Sequence, residues 1–130
     1  MKNIEVVAAI IYKQEQVLIT QRAKGKFKGL WEFPGGKIET GETHQEALVR
    51  EIKEELQVNI EVEHKFTEVE YQYEDFNLKM YLYWAQIVSG EINLVEHMDM
   101  QWINFKALKN VNWLPADIKV GAMISNLNSL

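Results

Sequence analysis

The order of apolar and polar segments predicts an α+β fold, a mixed β-sheet with a helix on each face. Strand-like segments dominate the chain, and helical periodicity is confined to two stretches far apart in sequence. The 130 residues, 47% of them hydrophobic, suit one globular domain spanning residues 1–130, with enough apolar material for a real core.

Ile4 to Tyr12 is a continuous apolar, β-branched run, expected as a strand buried on both faces. Lys13 to Glu15 is a polar turn, and Gln16 to Arg22 pairs back as the second arm of a hairpin. Ala23 to Leu30 carries Gly25 and Gly29 between lysines and reads as a flexible loop. Trp31 to Phe33 is short and aromatic, and Pro34-Gly35-Gly36 ends it as a sharp turn. The first helix is expected at about Thr43 to Leu56, with Ala47, Leu48, Ile52 and Leu56 as its apolar stripe. Glu61 to Tyr73 and Leu78 to Ile87 are strand-like, joined by a turn at Glu74 to Asn77. Ser89-Gly90 is a further turn, and Gln101 to Asn104 a last short strand. Pro115 opens a C-terminal helix, since proline suits a first helical turn. Ile118, Ala122, Leu127 and Ile124 are its expected buried side.

Composition removes several classes of function. With no cysteine, disulfides, thiolate catalysis and Cys-ligated zinc are excluded. No uninterrupted apolar run reaches membrane-spanning length, so no membrane partner is expected. Glu5 interrupts the apolar N-terminal stretch, which reads as a strand rather than a signal peptide. These features favour a cytoplasmic protein. A net charge of −5 argues against a nucleic-acid polymer as partner. It leaves room for a phosphorylated small molecule, because carboxylates loaded with metal invert their local sign.

The segment GKIETGETHQEALVREIKEELQV, Gly36 to Val58, carries most of the chemistry. Thr43 and Glu46 form a T-x-x-E capping box. Within the helix, spacings of three and four residues place Glu51, Glu54 and Glu55 on one face. Such like charges repel by a few tenths of a kcal/mol per pair. A solvated acidic face is the plain explanation, since glutamate is a good helix former. The other is a hard divalent cation, which takes oxygen ligands of this kind. Three neighbours favour the cation: the Gly-Gly turn with its exposed backbone groups, Glu39 and Glu42 in the preceding loop, and Arg50. The Arg50 guanidinium can orient a carboxylate through a forked hydrogen-bond pair.

Gly36, five residues, Glu42, seven residues, then Arg50-Glu51-Ile52-x-Glu54-Glu55-x-x-Val58 closely resembles the Nudix box. One position departs: Gln57 stands where that family usually has a glycine, which serves as a helix C-cap with positive φ. A non-glycine residue there costs about 1 kcal/mol in the left-handed region, or the helix ends differently. EVVAAII, LWEFPGGKIE and LPADI extend the resemblance over nearly the whole chain, to MutT-type nucleoside triphosphate pyrophosphohydrolases. LPADI is similar to the same segment in enzymes acting on cytidine or oxidised purine nucleotides.

The resemblance implies an α/β/α sandwich and an Mg²⁺- or Mn²⁺-dependent hydrolase. Its ligands would be the Gly35 carbonyl, Glu51, Glu54, Glu55 and a loop glutamate matching Glu96, with His97 and Asp99 as nearby substitutes. It implies water attack on the β-phosphorus of a nucleoside triphosphate, giving a monophosphate and pyrophosphate. Glu51 is the preferred base and Arg50 belongs to the catalytic set. Nucleotide-pool sanitation is the expected role, in a monomer or homodimer. The rivals are hydrolysis of another nucleoside diphosphate derivative, or a nucleotide-binding module without turnover. Arg22 and Lys37 meet phosphate oxygens in this reading, or else are solvated cations. Phe33, Leu78 and Asp117 match base-pocket positions; the alternatives are a core Phe and an Asp serving as a helix cap. An ionised Asp117 only accepts hydrogen bonds. It would therefore prefer base edges that donate: the cytosine amino group, or N1–H and the 2-amino group of a guanine.

Overall fold

The structure is a computed structural model that describes residues 1–127. Strand β1 (Lys2–Lys13) turns at Gln14-Glu15 into β2 (Gln16–Arg22). A turn-rich loop leads to β3 (Trp31–Glu32), β4 (Gly35–Lys37) and helix α1 (His44–Leu56). The long hairpin β5 (Asn59–Gln72) and β6 (Phe76–Ser89) follows, then β7 (His97–Asn104). Two 3₁₀ segments, Phe105–Asn110 and Pro115–Asp117, precede α2 (Ile118–Ser125).

The sheet is mixed, as expected. β1 runs parallel to β6 from Lys2↔Phe76 to Ile11↔Ala85, and β5 pairs antiparallel with β6. β1 and β2 share only Tyr12↔Val17 and Lys13↔Gln16 before β2 departs to pair with β3 and β7. Because β1 is buried on both faces, its alternate residues feed two cores. Val7, Ala9 and Ile11 pack with Ala47, Leu48, Ile52 and Leu56 of α1. Ala8 and Ile10 pack with Trp84, Trp113, Val120 and Ile124 beneath α2. Fully burying each Leu or Ile of the α1 stripe contributes roughly 1.5–3 kcal/mol. That apolar stripe, more than intrinsic helix propensity, anchors the acidic face in place.

The ends of α1 follow local chemistry. Thr43 Oγ1 accepts from Glu46 N at 3.1 Å, and the Glu46 carboxylate accepts from Thr43 N at 2.9 Å. Gln57 caps the C-terminus with φ 60° and ψ 30°, the left-handed conformation that glycine takes more cheaply. Its side chain accepts from Asn93 Nδ2 at 2.9 Å.

Three expectations are corrected. Gly35 and Gly36 form no turn; they are extended in β4 and pair with Ala8 and Val7 of β1. β7 begins at His97, earlier than its apolar residues suggest, because ladder bonds to β2 set its length and Met98 and Asp99 stay exposed. In α2, Ile118 is 56% exposed and Ala122 only partly buried; Val120, Gly121 and Ile124 face the core. The helix lies directly on Trp113. A Cβ at Gly121 would stand 2.4 Å from the indole Nε1. This close approach at Gly121 selects the buried side.

Candidate active site

Helix α1 presents its carboxylates at three depths. Glu55 is buried, Glu51 is mostly buried and Glu54 projects to solvent. Arg50 organises the outer two. Its Nε and Nη2 grip Glu42 at 2.7 and 2.9 Å as a forked pair. Its Nη1 donates to Glu51 at 2.9 Å and to Glu54 at 3.1 Å, and Nη2 reaches the Lys37 carbonyl at 3.1 Å. The guanidinium, with help from the Glu39 amide, holds the Glu42 carboxyl down at about 2. Charge-assisted bonds of this kind are the strong ones.

Close approach explains the two glycines that open β4. A Cβ on Gly36 would lie 2.3 Å from the Glu51 carboxyl, and one on Gly35 would lie 2.0 Å from the Val7 carbonyl oxygen. Gly36 makes room for the Glu51 side chain; Gly35 allows β4 to approach β1.

A cavity of about 520 Å³ opens beside this helix. Glu51, Glu55, Glu32, Glu96, Arg22 and His97 line it, with Gly35 and Gly36 in its wall. Burial pushes the Glu55 carboxyl up to about 9, and the charges of Glu51, Glu32 and Glu96 add to the effect. Burial likewise raises Glu51, against the opposing pull of Arg50. Two buried atoms here, Glu55 Oε2 and His97 Nδ1, have no hydrogen-bond partner among the described residues. Such orphaned atoms are costly in a protein interior. A divalent cation would satisfy the carboxylate and relieve the repulsion, so this donor set fits hard-metal chemistry. No group of three acidic or imidazole side chains converges on one point among the described residues. Arg50 instead takes oxygens of Glu51 and Glu54.

A second cavity, about 370 Å³, adjoins the first through Arg22, Glu32, Gly35 and Gly36. It is largely apolar, with Leu78, Met80, Tyr73 and Phe33 in its lining and Asp117 as its buried polar group. Asp117 makes no helix-cap bond. Its Oδ2 accepts from Phe33 N at 3.0 Å, leaving Oδ1 for a further partner. Burial pushes this carboxyl up to about 8, so the expectation of an ionised, acceptor-only Asp117 is corrected. Near neutral pH it is an acid that can donate as well as accept.

The expected residues thus divide between two chambers. Glu51, Glu55 and Glu96 border the acidic one, and Gly35 lies in the wall of both. Phe33, Lys37, Leu78 and Asp117 border the apolar one, and Arg22 borders both. Arg50 and Glu54 stand outside the acidic lining, joined to it through Glu51. The Phe33 ring is 3% exposed and stacked on Trp113 at 4.5 Å, so it packs as core and meets Asp117 through its amide. Sequence reasoning missed Glu32 and gave His97 only a substitute's part. The alternation Trp31-Glu32-Phe33 is a signal that Glu32 faces away from its aromatic neighbours.

The same chain is similar to curated relatives over nearly its full length. It is 34% identical over 119 residues to a CTP pyrophosphohydrolase of Escherichia coli, covering 91% of this chain and 88% of the other. It is 30% identical over 129 residues to an 8-oxo-dGTP diphosphatase of the same organism, covering 98% and 100%. The solution structure of the ORF135 protein of E. coli superposes with a TM-score of 0.81 at 33% identity, over 94% of this chain and 88% of that one. A NUDIX domain model matches residues 2–122, and with these full-length likenesses it shows that the chain belongs to the Nudix family.

Proposed function

We propose that this hydrolase cleaves nucleoside triphosphates to a monophosphate and pyrophosphate, with Mg²⁺ as its metal and modified nucleotides of the pool as substrates. Nudix hydrolases generally use divalent metal ions and act on nucleotides. One observation carries the finer reading: an acidic cavity with an orphaned, buried Glu55 oxygen opens beside an apolar, base-sized cavity containing Asp117. One chamber suits phosphates with cations and the other suits a base.

Glu51, Glu54, Glu55, Glu96 and the Gly35 carbonyl would hold Mg²⁺ or Mn²⁺. Bound there, the metal neutralises phosphate charge and lowers the pKa of water. Glu51 serves as the base, since burial raises its proton affinity and Arg50 holds one of its oxygens in place. Arg22, at the junction of the chambers, binds phosphate oxygens, and Lys37 adds a second cation at the apolar side. Leu78 packs against the base, and Asp117 reads its edge while the Phe33 amide fixes Oδ2. In its protonated form Asp117 suits an oxidised guanine, with both donors and acceptors on its edge, as well as a cytosine. We extend the reading to a cytoplasmic protein of one domain; among the described residues no helix is long and apolar enough to cross a membrane.

The test is a panel of dNTPs, CTP and 8-oxo-dGTP with Mg²⁺ in ¹⁸O-labelled water. The expected products are monophosphate and pyrophosphate, with the label in pyrophosphate because water attacks the β-phosphorus. Label in the monophosphate, release of orthophosphate, or no turnover of any triphosphate would overturn the reading.

A further inference from the structure

His97 lies 65 residues from Glu32 in the chain and yet meets it directly. Its side chain is 5% exposed, and Nε2 stands 3.0 Å from Glu32 Oε2 and 3.8 Å from Glu55 Oε1. With two carboxyl groups on that side, the ring proton belongs on Nε2, donated to Glu32. Glu32 in turn faces Arg22, whose Nε lies 3.4 Å from Oε2. A connected path of four side chains therefore runs Arg22–Glu32–His97–Glu55. It begins at the cation shared by both chambers and ends at the buried carboxyl of the acidic one.

The strand register brings His97 to this place. β2 and β7 pair regularly from Gln16↔Asn104 to Gln21↔Asp99, and the next pair is Arg22↔His97. Met98 is the extra residue, 51% exposed, in a β-bulge. Without it Met98, not His97, would stand opposite Arg22. Bulges beside functional sites commonly re-aim a side chain in this way.

We propose that His97 is a positioning residue, which holds Glu32 and through it sets Arg22 against the substrate phosphates, in register with the Glu55 side of the site. This rests on the triphosphate reading above. Arg22 is 45% exposed and long, and free in solution it would sample many rotamers. Glu32, itself pinned by a buried imidazole, narrows that choice before substrate arrives. Pre-organisation of this kind favours binding by reducing what is lost on ordering. A purely architectural histidine would show its loss in folding alone.

The variants are His97→Gln, whose amide nitrogen can replace Nε2 as donor to Glu32, and His97→Asn, which falls short of it. The probes are the α,β-methylene analogues of dGTP and dCTP with Mg²⁺, by calorimetry, alongside thermal melting of each variant. His97→Asn is expected to weaken analogue binding about tenfold, or about 1.4 kcal/mol, and His97→Gln by less than about threefold. In an Arg22→Ala background, His97→Asn should have no further effect, because the residue acts through Arg22. Unchanged affinity in His97→Asn, equal weakening by both variants, or full additivity with Arg22→Ala would overturn the proposal while the triphosphate reading stands. Failure of the wild type to bind either analogue would overturn both.

Discussion

Replacing Glu55 with Gln should stabilise the metal-free protein while disabling the enzyme. The Glu55 carboxyl is held protonated up to about 9, against 4.5 for an ordinary glutamate. Between those values the unfolded chain ionises this group and the folded chain does not. The folded state then binds the extra proton, so stability falls as pH rises from 4.5 to about 9. From 4.5 to pH 7 the interval is about 2.5 pH units, and at about 1.4 kcal/mol per unit the loss is about 3 kcal/mol. Gln carries no such linkage. Glu55→Gln should therefore match the wild type near pH 4.5 and exceed it by about 3 kcal/mol at pH 7. Urea denaturation in the presence of a chelator, at about pH 4.5 and about pH 7, measures both limits. Added Mg²⁺ should then raise the stability of the wild type more than that of the variant, since the cation replaces the missing partner. A variant no more stable than wild type at the higher pH, with chelator present, would refute the idea that Glu55 is a desolvated and uncompensated acid.

The other predictions are shorter. Gly36→Ala should cut turnover steeply with little change in melting temperature, because its methyl displaces the Glu51 carboxyl; a fully active variant would place Glu51 elsewhere during reaction. Asp117→Asn should change the ranking of bases in a substrate panel while Mg²⁺-dependent turnover persists. Wild-type base preference should itself shift as pH passes about 8 and Asp117 loses its donor; an identical ranking for variant and wild type rejects its role as base reader. Gln57→Gly should stabilise by about 0.5–1 kcal/mol, since glycine takes positive φ without strain, with activity unchanged; chemical denaturation and a rate assay suffice. Glu54→Gln should raise the Mg²⁺ concentration needed for half-maximal rate and remove most activity; near-normal turnover at saturating Mg²⁺ would remove Glu54 from the ligand set.

Much of this was legible wherever the cause is local. The capping box at Thr43 and Glu46, the stripe Ala47–Leu48–Ile52–Leu56 and the long apolar β1 are local signals, and each led to its element. The left-handed conformation at Gln57 could be anticipated because Gln57 stands where the resembling family has a C-cap glycine. What failed depends on contacts between distant segments. Helical spacing puts Glu51, Glu54 and Glu55 on one face, but only the sheet beneath decides that one is buried and another solvated. Two glycines read as a turn because turns are what adjacent glycines usually mean. Here they were needed for close approach to Val7 and Glu51. The protonation of Asp117 is likewise a matter of burial, and no local pattern states it. Glu32 and His97 meet only because β2 and β7 pair with a bulge, and that register is absent from any window of sequence.

The two chambers also explain why this site keeps arrangements that stability alone would remove. Glu55 lacks a partner for one oxygen among the described residues and lies near the acids of Glu51, Glu32 and Glu96. Arg50 cannot relieve it, because that guanidinium is already shared among Glu42, Glu51, Glu54 and the Lys37 carbonyl. The surrounding frame carries the cost: two apolar cores lie on opposite faces of β1, and α1 is fixed at both ends. A rigid frame holds Glu51 and Glu55 of α1 close to Glu32 and Glu96, and burial together with the crowding of these acids keeps Glu55 protonated. The apolar chamber bears a related cost in a neutral Asp117, but its anchor is the backbone amide of Phe33, just after β3, rather than a helix. The charges that would drive hydrolysis and the group that would read the base are thus held by different elements. Substitutions at Asp117 therefore leave the contacts of α1 in place, whereas changes at Gly36 or Arg50 act on the carboxylates first.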